Sequence, residues 1–241
     1  MVRALARGVL ALSVAVSGCR AGPEITRLQA RPAAPSVALQ PGEHELGLSL
    51  RRDGILYIPK RAAAGTPVPL LVLMHGGSQR ATLFRFTFPL AEELGVVILT
   101  LDARDNTWDG IDSPFGPDVR FIDAAMRHTF QSVAIDPHRI ALGGFSDGAS
   151  YALSLGLMNG DLFTHLVAFS PGFLTQPGPP AGRPLIFMAH GVRDHVIGIE
   201  TSRRMVPRLK SLGYDVTYRE FNGPHMTPGP IARAALEWLA R

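Results

Sequence analysis

The sequence predicts an α/β fold: a mostly parallel central sheet with helices on both of its faces. Three observations carry that expectation. From about residue 43 onward, apolar runs of strand length alternate with amphipathic stretches of helix length. The run VPLLVLMHGG is apolar throughout rather than at every second residue, as befits a strand covered on both faces. It ends in glycines, which mark the turn out of the strand. Strand–helix alternation of this kind implies parallel strands joined by right-handed crossovers. At 241 residues, with 46% hydrophobic and 18% charged residues, the chain suits one such domain and is too apolar for a disordered protein.

Taken in order, the chain opens with MVRALARGVLALSVAVSGC, in which Arg3 and Arg7 precede an apolar stretch and then small residues. This is the layout of a secretory signal peptide and is too short to span a membrane. Its end, Val16-Ser17-Gly18-Cys19, resembles a bacterial lipobox, and Cys19 is the only cysteine. Lipidation explains a lone thiol in an exported chain. Residues 1–18 are therefore expected to be a removed leader, and residues 19–42, rich in Pro, Ala and Gly, a lipidated cysteine followed by a flexible tether. Removing residues 1–18 takes away two arginines and leaves 22 basic against 20 acidic residues, a balance that offers nucleic acid no attraction.

The domain itself is expected over residues 43–241. HELGLSL and GILYIPK read as an opening hairpin turning at Arg51-Arg52-Asp53-Gly54. VPLLVLM is a buried strand, residues 81–95 a helix despite Pro89, and VVILTLD the next strand. Residues 118–130 form a helix with Val119, Ile122, Ala125 and Met126 on one face. Then follow the strand RIALGGFS, a helix stopping at Asn159-Gly160, and the strands HLVAFSPG and PLIFMAHG. A helix containing Pro207, the strand YDVTYREF and a terminal helix with Pro230 in its first turn complete the domain.

In an open parallel sheet, ligands sit beyond the carboxyl ends of the strands. Four strand ends carry, in chain order, His75-Gly76-Gly77-Ser78, Gly144-Phe145-Ser146-Asp147-Gly148, His190 to Asp194, and Asn222-Gly223-Pro224-His225. A serine hydroxyl needs a base to become a nucleophile. A sharp strand-to-helix turn lifts it above the sheet, and the flanking Gly144 and Gly148 avoid the clashes that a Cβ would cause. A histidine can take its proton, and a carboxylate fixes the histidine tautomer. Ser146, Asp194 and His225, each on a separate strand end, have that complement in the Ser…Asp…His order. The helix beginning at Asp147 directs free N–H groups at a developing negative charge.

On LLVLMHGG, RIALGGFSDGASYAL, FSPGF, FMAHGVRDHVI and NGPHMTP, the chain from about Gly54 to its end resembles the α/β-hydrolases of compact carboxylesterase type. It is close to the phospholipase/carboxylesterase and dienelactone-hydrolase-like groups, and it also resembles feruloyl esterases and polyhydroxybutyrate depolymerases. The resemblance implies a serine esterase in which Ser146 is the nucleophile, His225 the base and Asp194 the acid. It implies an oxyanion hole made by the backbone N–H of Asp147 and that of Gly77, with Gly76 or Ser78 as alternatives in the same loop. The family's usual Gly-His before the base is here Gly223-Pro224-His225. The short, Pro- and Gly-rich stretch between Phe169 and Leu185 leaves no room for a cap.

Other residue types at the strand ends have plainer readings. Asp147's side chain suits the positive end of its helix. Asp215 precedes a strand, at the wrong edge of the sheet. His195 adjoins Asp194 but points elsewhere. His75 and His190 read as loop-bonding histidines, and His44, His128, His138 and His165 as surface or packing residues. Trp108 lies past a strand end, where it either lines an acyl or aryl pocket or anchors its loop. The histidines show no paired-ligand spacing, so no metal is expected.

The function expected is hydrolysis of carboxylic esters through an acyl-enzyme, favouring short-chain or aryl and feruloyl-type esters, without a cofactor. The alternatives are a polyester depolymerase, lysophospholipase, thioesterase or peptidase on the same three residues, or an inactive binding lipoprotein. The expected partners are a small ester and, through Cys19, a membrane of the bacterial envelope. Nucleic acid is not among them, and a monomer is the default state.

Overall fold

A computed structural model describes residues 25–241. The expected leader, residues 1–18, and the lipidation site Cys19 lie outside the described residues. Eight strands form one sheet: β1 (Gly42–Glu45), β2 (Gly54–Ile58), β3 (Val68–Met74), β4 (Val97–Leu101), β5 (Ile135–Phe145), β6 (His165–Phe169), β7 (Leu185–Gly191) and β8 (Val216–Phe221). Their spatial order is β1-β2-β4-β3-β5-β6-β7-β8. The pairs β1–β2 and β2–β4 are antiparallel, and every other pair is parallel. The α/β-hydrolase architecture expected from the sequence is thus the one observed.

Helices α1 (Phe88–Leu94) and α5 (Gly229–Ala240) cover one face of the sheet. Helices α2 (Pro117–Ser132), α3 (Asp147–Met158) and α4 (Glu200–Ser211) cover the other. Strands β3, β4 and β6 are buried along nearly their whole length, which is why they read as continuous apolar runs. Residues 170–184, between β6 and β7, form no helix and run along α3, where Gly172 N–H and Thr175 N–H donate to the Ser150 and Ser154 hydroxyls. The expected absence of a cap is what the fold shows. No described helix is long and apolar enough to cross a membrane.

Three expectations need correction. The helix expected over residues 81–95 is a 3₁₀ turn from Ala81 to Thr87 followed by α1, with Pro89 in the first turn of α1. Proline has no N–H to give, so it fits a helix start and breaks a helix middle. The opening hairpin is joined by residues 46–53, not by a four-residue turn. Gly47 N–H and Leu48 N–H both donate to the Asp53 carboxylate, and Leu46 is buried, so these residues close a loop of their own.

The third correction concerns the tether. The flexible segment expected over residues 19–42 is docked from Ile25 onward. Ile25 N–H donates to Phe115 O at 2.9 Å, just before α2. Leu28 N–H donates to Asn159 Oδ1, and Gln29 N–H and Ala30 N–H both donate to Asp123 Oδ1. Ser36 N–H and Val37 N–H reach Gln131 O near the end of α2. Leu28 and Ala30 are each 1% exposed. A Pro- and Ala-rich segment has no periodicity to advertise, but two buried side chains and side-chain acceptors on α2 and after α3 hold it as a strap.

Candidate active site

The carboxyl ends of β3, β5, β7 and β8 converge on one edge of the sheet. At the end of β5 the backbone reverses within one residue. Ser146 takes φ 56° and ψ −118°, in the left-handed half of the map that a side chain normally avoids. The turn is possible because a Cβ at Gly144 would lie 2.5 Å from Met74 O, and one at Gly148 would run into the backbone of Met74 and His75. Both glycines are therefore required by close backbone approach, which lets α3 start directly behind the serine.

Ser146 Oγ lies 2.9 Å from His225 Nε2, and His225 Nδ1 lies 2.6 Å from Asp194 Oδ2. A carboxylate accepts only, so His225 Nδ1 carries the proton and Nε2 is left to accept from the serine hydroxyl. Asp194 Oδ1 accepts from Val196 N–H at 2.9 Å and Ile197 N–H at 2.8 Å. Burial opposes the charge on Asp194, but the bonds from His225, Ile197 and Val196 outweigh it and hold its carboxyl below the usual range. Phe145, the residue before the serine, packs its ring against His225 at 4.6 Å.

The loop after β3 presents one free donor beside the serine. Gly76 N–H donates to Gln79 Oε1 at 3.0 Å and Ser78 N–H to Asn106 O at 2.7 Å, so of these three candidates only Gly77 N–H is without an acceptor among the described residues. Its direction is set by the other side of the same peptide. Gly76 O accepts from His75 Nδ1 at 2.7 Å and from Gln79 N–H at 3.1 Å, and a trans peptide turns the Gly77 N–H the opposite way. His75 can donate from Nδ1 because Nε2 accepts from Ala103 N–H at 3.0 Å. Burial lowers its pKa and keeps the ring neutral. Asp147 N–H, first in α3, has no intrahelical acceptor and is the second free donor. Gly76, Gly77, Phe145, Ser146, Val196 and His225 line a cleft of about 310 Å³. The arrangement can remove a proton from Ser146, hold the resulting imidazolium and receive an oxyanion on two N–H groups.

The structure thus brings together Ser146, Asp194, His225, Gly77 and Asp147, and leaves the other candidates outside. Trp108, expected either to line the cleft or to anchor its loop, is 1% exposed. It donates from Nε1 to His75 O at 2.8 Å and stacks on Tyr151. It does not line the cleft, because burial in the core leaves its ring no free face. His195 is exposed and Asp215 lies at the opposite edge of the sheet. His190 bonds Ser202 Oγ through Nδ1, while its Nε2 lies 2.8 Å from Ile197 O and 3.2 Å from Asp194 Oδ2. It thereby braces the loop that carries Asp194.

Four contributors were not anticipated from the sequence. Gln79 ties up the Gly76 N–H, and Phe145 packs on His225. Val196 is 73% exposed at the cleft rim. Thr107 donates to Asp147 Oδ2 at 2.7 Å. Gln79 adjoins one strand-end motif and Phe145 lies within another, and both are legible there in hindsight. Thr107 gives no signal, because its partner is 40 residues away.

Comparison with known proteins bears on the family and the fold. Residues 104–240, more than half of the chain, match the family described as phospholipase/carboxylesterase. Acyl-protein thioesterase 1 of Gibberella zeae is 30% identical over 97 residues, a match covering 37% of this chain and 41% of that protein. The chain therefore matches about two fifths of that relative's length. Among solved structures, esterase PE8 superposes with a TM-score of 0.64 at 21% identity, covering 79% of this chain and 98% of that one. The Bacillus cereus carboxylesterase does so with a TM-score of 0.59 at 19% identity, covering 79% and 94%. At these identities the two structures speak for the fold.

Proposed function

The chain belongs to the phospholipase/carboxylesterase family, and from that premise we propose that it is a serine hydrolase that cleaves carboxylic esters through an acyl-enzyme on Ser146. The observation that carries the reading is the unbroken relay from Ser146 Oγ to His225 at 2.9 Å and on to Asp194 at 2.6 Å. In this mechanism Ser146 Oγ attacks the ester carbonyl as its proton passes to His225 Nε2. Asp194 keeps the ring oriented and stabilises the imidazolium. The carbonyl oxygen gathers charge between the N–H groups of Gly77 and Asp147, where it meets donors that need not reorganise. His225 then protonates the leaving alcohol, and water repeats the sequence on the acyl-enzyme. These residues complete the cycle without a cofactor.

The open cleft argues for short acyl groups or flat aryl ones. A buried methylene contributes about 0.8 kcal/mol, so a closed tunnel would reward each added carbon. A cleft whose outer wall is the exposed Val196 covers only the first carbons, and kcat/KM should level off beyond about four of them. The test is a series of p-nitrophenyl esters from acetyl to palmitoyl beside methyl ferulate, with fluorophosphonate labelling to report Ser146 directly. A rise continuing through long chains rejects the open-cleft reading, and an unlabelled Ser146 rejects the nucleophile.

A second reading, thioester hydrolysis, has one specific support: the stretch shared with acyl-protein thioesterase 1. Matched oxygen and sulfur esters of the same acid decide between them. The Val16-Ser17-Gly18-Cys19 stretch supports export and lipid anchorage at the bacterial envelope as part of the same proposal. Mass analysis of the mature N-terminus tests it.

A further inference from the structure

The route of the strap decides which way an anchored domain faces. Strands β3 to β8 point their carboxyl ends at the cleft, so the helix after β4, α2, starts at the catalytic edge and descends away from it. The strap runs in the same direction: Ile25 bonds Phe115 just before α2, Gln29 and Ala30 bond Asp123 within it, and Ser36 and Val37 bond Gln131 near its end. The chain therefore joins the domain at the end of the helical layer nearest Ser146. Only five residues, 20–24, separate Cys19 from Ile25. Even fully extended they span roughly 20 Å.

The same edge carries exposed apolar side chains from three loops. Leu48 and Leu50 protrude from the β1–β2 connection, which lies at this edge because Gly54 pairs with Leu101 at the end of β4. Val192 and Val196 follow β7, and Met226 follows His225. By sheet order the first pair lies on the β2 side of β5 and the others on the β7 side, so they flank the serine. Beside Leu50, the Arg51 side chain has no carboxylate partner among the described residues. Asp105 and Asp112 on the same edge offset that charge, so the apolar side chains and the short reach carry the argument.

We infer that the catalytic edge rests on the lipid surface to which Cys19 is anchored, with Leu48 and Leu50 in the interface, so that the esters reaching Ser146 are those dissolved in the membrane. This rests on the esterase and anchor readings above and names the source of the substrate. It also agrees with the shallow cleft: an ester whose tail stays in the bilayer needs only its first carbons bound by protein.

The experiment uses the full-length lipidated protein in vesicles of phosphatidylcholine and phosphatidylglycerol. An environment-sensitive fluorophore is placed at Leu50→Cys and, separately, at Leu212→Cys, an exposed position at the opposite edge after α4. Mass analysis of Cys19 and fluorophosphonate labelling accompany each sample. The Leu50 probe should shift to the blue and be quenched by nitroxide-bearing lipid, and the Leu212 probe should do neither. Leu48→Glu with Leu50→Glu should lower turnover of a vesicle-dissolved ester about tenfold or more, since a leucine gains this much by leaving water, and leave p-nitrophenyl acetate hydrolysis unchanged. A lipidated protein whose two probes behave alike, or in reverse, overturns the orientation. An unmodified Cys19 overturns the anchor and the orientation together. The expected probe pattern without labelling or ester turnover leaves the orientation standing and rejects the esterase reading.

Discussion

Asp194, after β7, and Asp118, in the first turn of α2, are both buried at the carboxyl edge of the sheet, and each accepts two backbone N–H bonds. Asp194 takes those of Val196 and Ile197, and Asp118 those of Arg104 and Asp109. Yet they ionise in opposite directions. Asp194 is held below the usual carboxylate range. Burial pushes Asp118 up to about 6, and the neighbouring Asp109 carboxylate adds to the rise. The difference lies first in burial, which is the main cause of the Asp118 rise, and then in the third partner. Asp194 faces a histidine that can accept a positive charge, whereas Asp118 faces a second carboxylate and only a distant Arg104 guanidinium, 3.9 Å away. Two similar backbone cradles thus serve two ends: one carboxylate is kept charged for its histidine, and the other closes a loop.

That loop, residues 102–116, braces the Gly77 and Asp147 side of the site through Asn106, Thr107 and Trp108. The largest expected effects fall on the relay rather than on the brace. Ser146→Ala should lose roughly a millionfold in kcat with the fold intact. Asp194→Asn should lose about 10⁴-fold, because His225 is left in the wrong tautomer. Steady-state kinetics beside a circular dichroism spectrum check both. If Asp215→Asn proves the more damaging change, the relay has been traced to the wrong acid.

The contrast sharpens in stability against pH. For Asp118 the folded state holds its proton up to about pH 6 and the unfolded chain only to about 4, so stability falls as pH rises between those values. A two-unit shift amounts to about 3 kcal/mol. For Asp194 the sign reverses: its contribution is present above the unfolded pKa and is lost as pH falls through the lower folded value. Urea midpoints from pH 3 to 8 should show the decline over pH 4 to 6 flattened in Asp118→Asn and the acid-side loss reduced in Asp194→Asn. Identical profiles for the two variants would break the comparison.

The smallest effect belongs to the brace itself. Trp108→Phe keeps an aromatic ring against Tyr151 but removes the donor to His75 O, at a cost of about 1–2 kcal/mol in unfolding free energy. Its ratio of aryl to alkyl ester turnover should stay that of the wild type, since the ring does not reach the cleft. A changed ratio would return Trp108 to the substrate.

Much of this molecule was legible in its residues because the relevant physics is local. Strands covered on both faces, such as β3, β4 and β6, read as unbroken apolar runs, and their alternation with helical stretches put β3 to β8 in order. The cradle of Ser146 was legible because a one-residue reversal between strand and helix demands glycine at 144 and 148. With strands parallel, the residues just beyond each run must share an edge, and that alone gathered Ser146, Asp194 and His225. Tertiary structure decided whatever depends on a partner distant in the chain. Gly77 was separated from Gly76 and Ser78 only by Gln79 and Asn106 occupying the other two N–H groups. Trp108 became an anchor through a carbonyl 33 residues away. The strap over 25–37 looked like a free tether because its order comes from acceptors on α2 and after α3, and composition records what a segment can do alone, not what it is offered to bind.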